Sequence, residues 1–227
     1  MGGLWVDYDQ MTEIPGLFAA GECDYSQHGA NRLGANSLLS AIYGGMVAGP
    51  NAVKYIKGLK KHAEDLPETI FEARVKEETE KWEAILKMDG TENAYLLHKE
   101  LGEWMTDNMT VVRHNDRLEK TYEKLTELQE RWNNINVNDT QRWSNQGAHF
   151  VRQLKNMLYL AKVMTKGALL RNESRGAHYK PEFPERDDEN FLKTTMAKFD
   201  PATGEPIITY QEVDVSLIPP RKRDYSK

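Results

Sequence analysis

Cysteine is nearly absent from this chain: Cys23 is the only one in 227 residues. That excludes an internal disulfide framework and a multi-cysteine metal site, and makes a reducing compartment the default expectation. No run approaches the roughly eighteen apolar residues that a membrane-spanning helix needs. Met1 is not followed by a basic and then an apolar leader, so neither a spanning segment nor an export signal is expected. Excess positive charge is also missing. A formal net charge of -5 gives no general attraction to nucleic acid, and no nucleic-acid partner is expected. The short basic clusters at 57–61 and 221–223 read as solvated faces. His62, His98, His114, His149 and His178 show no metal-ligand spacing, so no metal is assigned. Internal repeats and low-complexity tracts are lacking too.

What is present is 39% hydrophobic and 29% charged sequence, the balance of a globular chain with long solvated helices. Short apolar runs at 4–6 and 16–20, separated by turn-forming Asp, Pro and Gly, read as two strands of a larger sheet. From Asn36 the period becomes helical, with Leu39, Ile42, Met46, Val53 and Ile56 on one side, Asn36 or Ser37 as cap, and a kink or restart at Pro50. Residues 66–172 are long, charged and helical. Phe71, Val75, Trp82, Ile85 and Leu86 are expected to face inward, and the Asp89–Gly90 pair to end that helix. Thr91 is the expected cap of the next helix, with Leu97, Leu101 and Met105 inward. Leu118, Tyr122, Leu125, Leu128 and Trp132 mark a third helix, and the apolar stretch 151–170 is the central one. Joints this short predict antiparallel packing as a bundle. Trp82, Trp104, Trp132 and Trp143 are expected as core or contact residues, and Cys23 as a small buried thiol. Beyond Arg171 the periodicity fades, leaving two weak strand candidates near 194–198 and 207–213.

One stretch, HGANRLGANSLLSAIYGG at 28–45, sets four glycines and three alanines around the single cation Arg32. An arginine offers a permanently charged planar fork suited to bidentate capture of a carboxylate or phosphate. Small neighbours at 29, 30, 34 and 35 would let backbone approach a flat ligand, and a helix starting at 36–37 aims unpaired amides and its positive dipole end at the same place. The combination suits an anionic substrate held against a cofactor that gains negative charge.

These residues carry a resemblance. PGLFAAGECDYSQHGANRLGANSLLSAIYGG resembles the flavin- and substrate-binding segment of the succinate dehydrogenase and fumarate reductase flavoprotein subunits, and RNESRGAHYKPEFPERDDENFL at 171–192 is similar to their C-terminal signature. The chain most resembles the menaquinone-linked type of Gram-positive bacteria. The resemblance implies FAD as cofactor, with Glu22 matching the carboxylate at the ribityl chain and Ser37 and Leu38 matching the helix-start residues near the flavin pyrimidine edge. It implies that Arg32 clamps a carboxylate of succinate or fumarate. His28 is expected to pack and hydrogen-bond beside the flavin, and Glu173, Arg175 and His178 to serve structure. Where the family usually has paired glycines after the leucine, this chain has Gly34 and Ala35.

The resemblance further implies that the dinucleotide fingerprint, the FAD-linked histidine and the proton-delivering arginine lie upstream. The chain is therefore expected to be a C-terminal part of such a subunit, with no catalytic residue of its own, retaining no FAD and inactive alone. The expected partners are an iron-sulfur subunit and, indirectly, a membrane-anchor cytochrome b subunit, at the cytoplasmic side of the membrane. The expected fold is mainly α: a short α/β remnant of the FAD-binding domain (1–60), an antiparallel helical bundle (61–172) and an extended, irregular C-terminal tail (173–227). Fumarate reductase, L-aspartate oxidase and a non-catalytic helical docking module are the competing readings.

Overall fold

The structure, a computed structural model, describes residues 2–25 and 28–221. It divides into two compact units, Met1–Trp82 and Glu83–Lys227. The fold is mainly α: among the described residues the regular elements are α1 (Asn36–Gly58), α2 (Glu68–Leu86), α3 (Ala94–Met109), α4 (Asn115–Trp132), α5 (Gln146–Leu170), the single-turn α6 (Asp188–Phe191), β1 (Lys193–Phe199) and β2 (Pro206–Glu212), with two short 3-10 turns.

In the first unit the two expected strands do not form. Among the described residues each run makes a single isolated bridge, Leu4 beside Asp24 and Met11 opposite Phe18. The Asp7 carboxylate accepts from the amides of Asp9 and Met11, both at 2.9 Å, and turns the chain before a ladder can extend. Helix α1 begins one residue earlier than a cap at Asn36 would give, and two earlier than one at Ser37. Ala35 is the N-cap, in the left-handed region at φ 59°, and no side chain caps the helix. The cause is the tight turn before it, in which the Asn36 amide donates to Leu33 O at 3.3 Å. The helix also continues through Pro50 without a restart. Proline leaves the Met46 carbonyl without its usual donor, and one residue along Asn51 Nδ2 adds a bond to Val47 O at 3.1 Å. Most of the apolar stripe of α1 is uncovered within this unit, Ile42 and Met46 being 61% and 70% exposed, and Phe71 and Val75 of α2 are exposed rather than inward.

The second unit is built on α3, α4 and α5. Leu118, Leu125 and Leu128 recur at helical spacing on α4 and are fully buried with Leu97, Leu154 and Leu158. Trp132, at the end of α4, donates through Nε1 to Val151 O near the start of α5 (2.8 Å), while Tyr122, earlier on α4, lies under Lys162 late on α5 (4.9 Å). The two helices are therefore antiparallel. The same test sets α3 antiparallel to α4, since Arg131 reaches Glu92 (2.8 Å) and Lys124 lies over Trp104 (5.7 Å). Before α3, residues 88–92 pair with 134–137 through four backbone bonds, among them Glu92 N to Asn134 O at 2.9 Å. Gly90 is required there, because a Cβ would stand 2.0 Å from Asn134 O. Asn93, not Thr91, caps α3 by accepting from the amides of Tyr95 and Leu96; Thr91 Oγ1 instead accepts from Asn134 Nδ2 at 2.9 Å. Trp143, expected in a contact, is 88% exposed.

The weak strand candidates near the end form a real hairpin, with β1 and β2 antiparallel and Met196 opposite Thr209. Its turn is tied to the bundle by Glu205, which accepts from the Tyr122 hydroxyl and pairs with the buried Lys162 amine at 2.5 Å. Burial and the Glu205 carboxylate together hold the Tyr122 phenol well above its usual range.

Candidate functional site

The residues singled out in the sequence fall in the first unit. Glu22 lies on a one-turn 3-10 helix, Gly21–Cys23, and is exposed. Cys23, expected to be buried, is exposed, with Sγ 3.2 Å from Ala20 O. Helix α1 packs closely on this turn because its side chains there are minimal: a Cβ added at Gly44 would stand 3.2 Å from Gly21 N and 3.3 Å from the Ala20 Cβ.

Arg32 is exposed on the loop that leads into α1, and among the described residues its guanidinium hydrogen-bonds the neighbouring Leu33 O, at 3.4 Å. No carboxylate pairs with it among the described residues. Ser37 and Leu38 occupy the first turn of α1 and are exposed. The Asn36 amide is taken by Leu33 O, and no side chain caps the amides that follow it, the kind of helix start that attracts an anion. A Cβ at Gly29 or Gly34 would meet nothing within 4 Å, which leaves the backbone beside Arg32 approachable. His28 reaches α1 through Ser40, Nε2 to Oγ at 3.1 Å, and Ser40 Oγ donates to Ser37 O at 2.9 Å. The other ring nitrogen, His28 Nδ1, is buried without a partner among the described residues.

The second motif, in the other unit, builds a polar core. Glu173 is fully buried. It pairs with Arg171 and Arg175 and accepts from the Asp187 amide at 3.0 Å. His178 Nδ1 lies 2.6 Å from Arg113 Nη1, and Nε2 is 2.9 Å from Arg171 O. An arginine can only donate, so Nδ1 accepts and Nε2–H donates, which defines a neutral ring. Burial, with Arg113, Lys180 and Arg171 adding to it, pushes the imidazole down to about 4. The Lys180 amine is fully buried on Leu169 O (3.0 Å) and Asn172 Oδ1 (3.1 Å), and burial pushes it down to about 8. Sequence reading missed Lys180 because a lysine nine residues beyond a fading helix period carries no burial signal. The fold also brings ligand atoms of His114, Asp116 and Glu182 within 4.8 Å of one another; Glu182 there already accepts from His114 Nδ1 at 3.0 Å and the Asn115 amide at 3.3 Å.

His178 makes the chain acid-sensitive. Its folded value lies below the ordinary 6.5, so the unfolded chain binds the proton more readily. The contribution of the neutral ring is complete above about pH 6.5 and is lost as pH falls towards 4, up to about 3 kcal/mol. Thermal unfolding at pH 7 and pH 4.5 should therefore show a larger acid loss for wild type than for His178→Gln. Equal losses would remove His178 as the cause.

The first unit thus sets a loop of small residues bearing an exposed arginine directly before a helix start without a side-chain cap, and the second is a helical bundle. The chain belongs to the fumarate reductase flavoprotein C-terminal family, whose model matches residues 98–225; an FAD binding domain model matches residues 1–38. It is 71% identical over 227 residues to the succinate dehydrogenase flavoprotein subunit of Bacillus subtilis, covering 100% of this chain and 39% of that one. It is 36% identical over 226 residues to the fumarate reductase flavoprotein subunit of Haemophilus influenzae, covering 99% of this chain and 37% of that one. A solved structure of E. coli quinol fumarate reductase superposes with a TM-score of 0.90 at 35% identity, over 97% of this chain and 37% of that one. The chain thus spans about two fifths of the length of the relatives it matches.

Proposed function

We propose that, in a subunit of the relatives' full length, this chain supplies the substrate-binding arginine and part of the FAD site of a succinate dehydrogenase. The observation that carries this reading is Arg32: a guanidinium without a carboxylate partner among the described residues, on a loop of small residues directly before an uncapped helix start. Its fork would accept a succinate carboxylate in two parallel bonds and fix which methylene faces the cofactor.

The residues present fit FAD. Approachable backbone at Gly29 and Gly34 and amides without a side-chain cap at the start of α1 stand in one segment. Glu22, Ser37 and Leu38 would hold the cofactor, which when bound takes up the hydride of succinate oxidation. The helix start would stabilise the negative charge that accumulates there. This chain contributes binding and orientation, and the proton leaves through a group outside it. Electrons would continue to an iron-sulfur subunit and to a membrane-anchor cytochrome b subunit, with the assembly on the cytoplasmic side of the membrane. Among the described residues, no helix is long and apolar enough to cross a membrane.

Fumarate reduction is the same chemistry in reverse, and the similarity to the Haemophilus protein favours keeping it as the second reading. Dye-linked assays on a full-length, flavin-loaded subunit test both, with succinate, fumarate and aspartate offered in turn. Turnover of the first two alone supports the proposal, and turnover of aspartate alone replaces it with an amino-acid oxidase. Absence of turnover with all three leaves a docking role for the helices.

A further inference from the structure

Arg113, in the second unit, carries a positive charge that this chain does not answer. Its Nε donates to Met109 O at 3.1 Å and its Nη1 to His178 Nδ1 at 2.6 Å, both of them neutral acceptors. The side chain is half-buried, and burial holds the guanidinium below its usual value with no carboxylate raising it again. Other arginines of this unit are matched: Arg171 and Arg175 pair with Glu173, Arg186 with Asp188 and Arg131 with Glu92. No carboxylate pairs with Arg113 among the described residues. The charged surroundings deepen the imbalance. Lys180 is a second cation, fully buried on the neutral Leu169 O and Asn172 Oδ1, and Arg113 bears on it as a like charge. Glu182 is the acid that Lys180 senses, and it is engaged by His114 and the Asn115 amide.

A buried charge without a counter-charge is costly enough that native proteins normally supply one. Of the five N–H groups of a guanidinium, Nε–H and one on Nη1 are used here, so three remain for an acceptor. The chain around them is open to solvent: Val111 and Val112 are exposed, as is Tyr179, whose carbonyl accepts from the Arg113 amide at 3.0 Å. We propose that Arg113 is a carboxylate-binding site, completed by an acidic group from outside this chain that takes the free edge of the guanidinium. The planar fork, held in place by Met109 O and His178, matches a carboxylate in shape, and Lys180 behind it strengthens the field. The carboxylate is either a free small one or an Asp or Glu side chain of a longer subunit and its assembly. This site goes beyond the flavoprotein reading and does not depend on it.

The test reads Arg113 itself. Phenylglyoxal condenses with free guanidinium groups, and peptide mass mapping follows each arginine of the wild-type chain separately. Sodium acetate, against sodium chloride at equal ionic strength, should slow the modification of Arg113 about tenfold at ten times the half-protecting concentration. Arg142, exposed at the surface and paired with Glu83, is the reference and should not change. Equal rates in acetate and chloride overturn the proposal. The same measurement in the full-length subunit and its assembled complex identifies the source. Protection by acetate that persists there assigns a free small carboxylate. Protection already present without acetate assigns a side chain, and Arg113→Gln should then lower Tm by about 5 °C more in the larger protein than in this chain, because it strands that acid. Equal losses in the two would mean that Arg113 is merely covered there, and would overturn the side-chain source.

Discussion

Replacing Arg32 by alanine in a full-length, flavin-loaded subunit is expected to lower succinate-driven dye reduction by about a thousandfold. A hydrogen bond to a charged group contributes roughly 1.5–3 kcal/mol, and a bidentate clamp makes two of them. Losing about 4 kcal/mol of transition-state stabilisation corresponds to about three orders of magnitude in rate. The loss should fall on kcat/KM, and flavin content should stay constant, since among the described residues the Arg32 guanidinium bonds its own neighbour Leu33 and ties the loop to nothing else. Arg32→Lys should recover only a part, because a point charge cannot reproduce two parallel bonds. Activity equal to wild type with flavin retained would make Arg32 an ordinary surface residue and remove the main support for the proposed function.

The second large effect concerns stability. Glu173 is 0% exposed and is held by Arg171, by Arg175 through both carboxylate oxygens, and by the Asp187 amide. Glu173→Gln keeps the shape and removes the charge. Two guanidiniums then remain in a buried setting with Asp188 as the carboxylate still reaching Arg175, at 2.6 Å. Breaking one partner of a buried ionic group typically costs 3–5 kcal/mol, which for a chain of this size lowers Tm by roughly 10 °C. Thermal or urea unfolding would show it. The double change Glu173→Gln with Arg175→Gln should lose less than the sum of the single changes, since it removes the stranded charge with its partner. A drop below about 1 kcal/mol in Glu173→Gln would mean that the buried cluster is incidental to the fold.

The bundle was legible because burial there follows the helical period. Leu118, Leu125, Leu128 and Trp132 point inward as their spacing requires, and the terminal hairpin appears where β-prone residues alternate. The misreadings have local causes. At Ala35 the backbone turn, rather than a capping side chain, decides where the helix begins, and at α3 the cap is the Asn93 side chain because Thr91 is engaged with Asn134 instead. Phe71 and Val75 carry a clear amphipathic signal, yet nothing in their unit covers them, and a stripe cannot report whether its partner is present. Trp143 looked like a contact residue from its type alone. Of the candidate site, Arg32, Glu22, Ser37 and Leu38 were singled out by motif resemblance, and their roles stand as proposals. The link between His28 and Ser40 was not singled out, because twelve intervening residues and a turn must fold before the two side chains meet.

Gly44 gives the packing of α1 a further meaning. With 3.2 Å from a hypothetical Cβ to Gly21 N, even one methyl group at position 44 would act as a shim between the helix and the turn that bears Glu22. The spacing between the proposed cofactor carboxylate and the helix that follows Arg32 is thus gauged by an atom that is not there. Lineages of this chain should be free to vary the outer face of α1 while position 44 keeps its tolerance to within a fraction of an ångström.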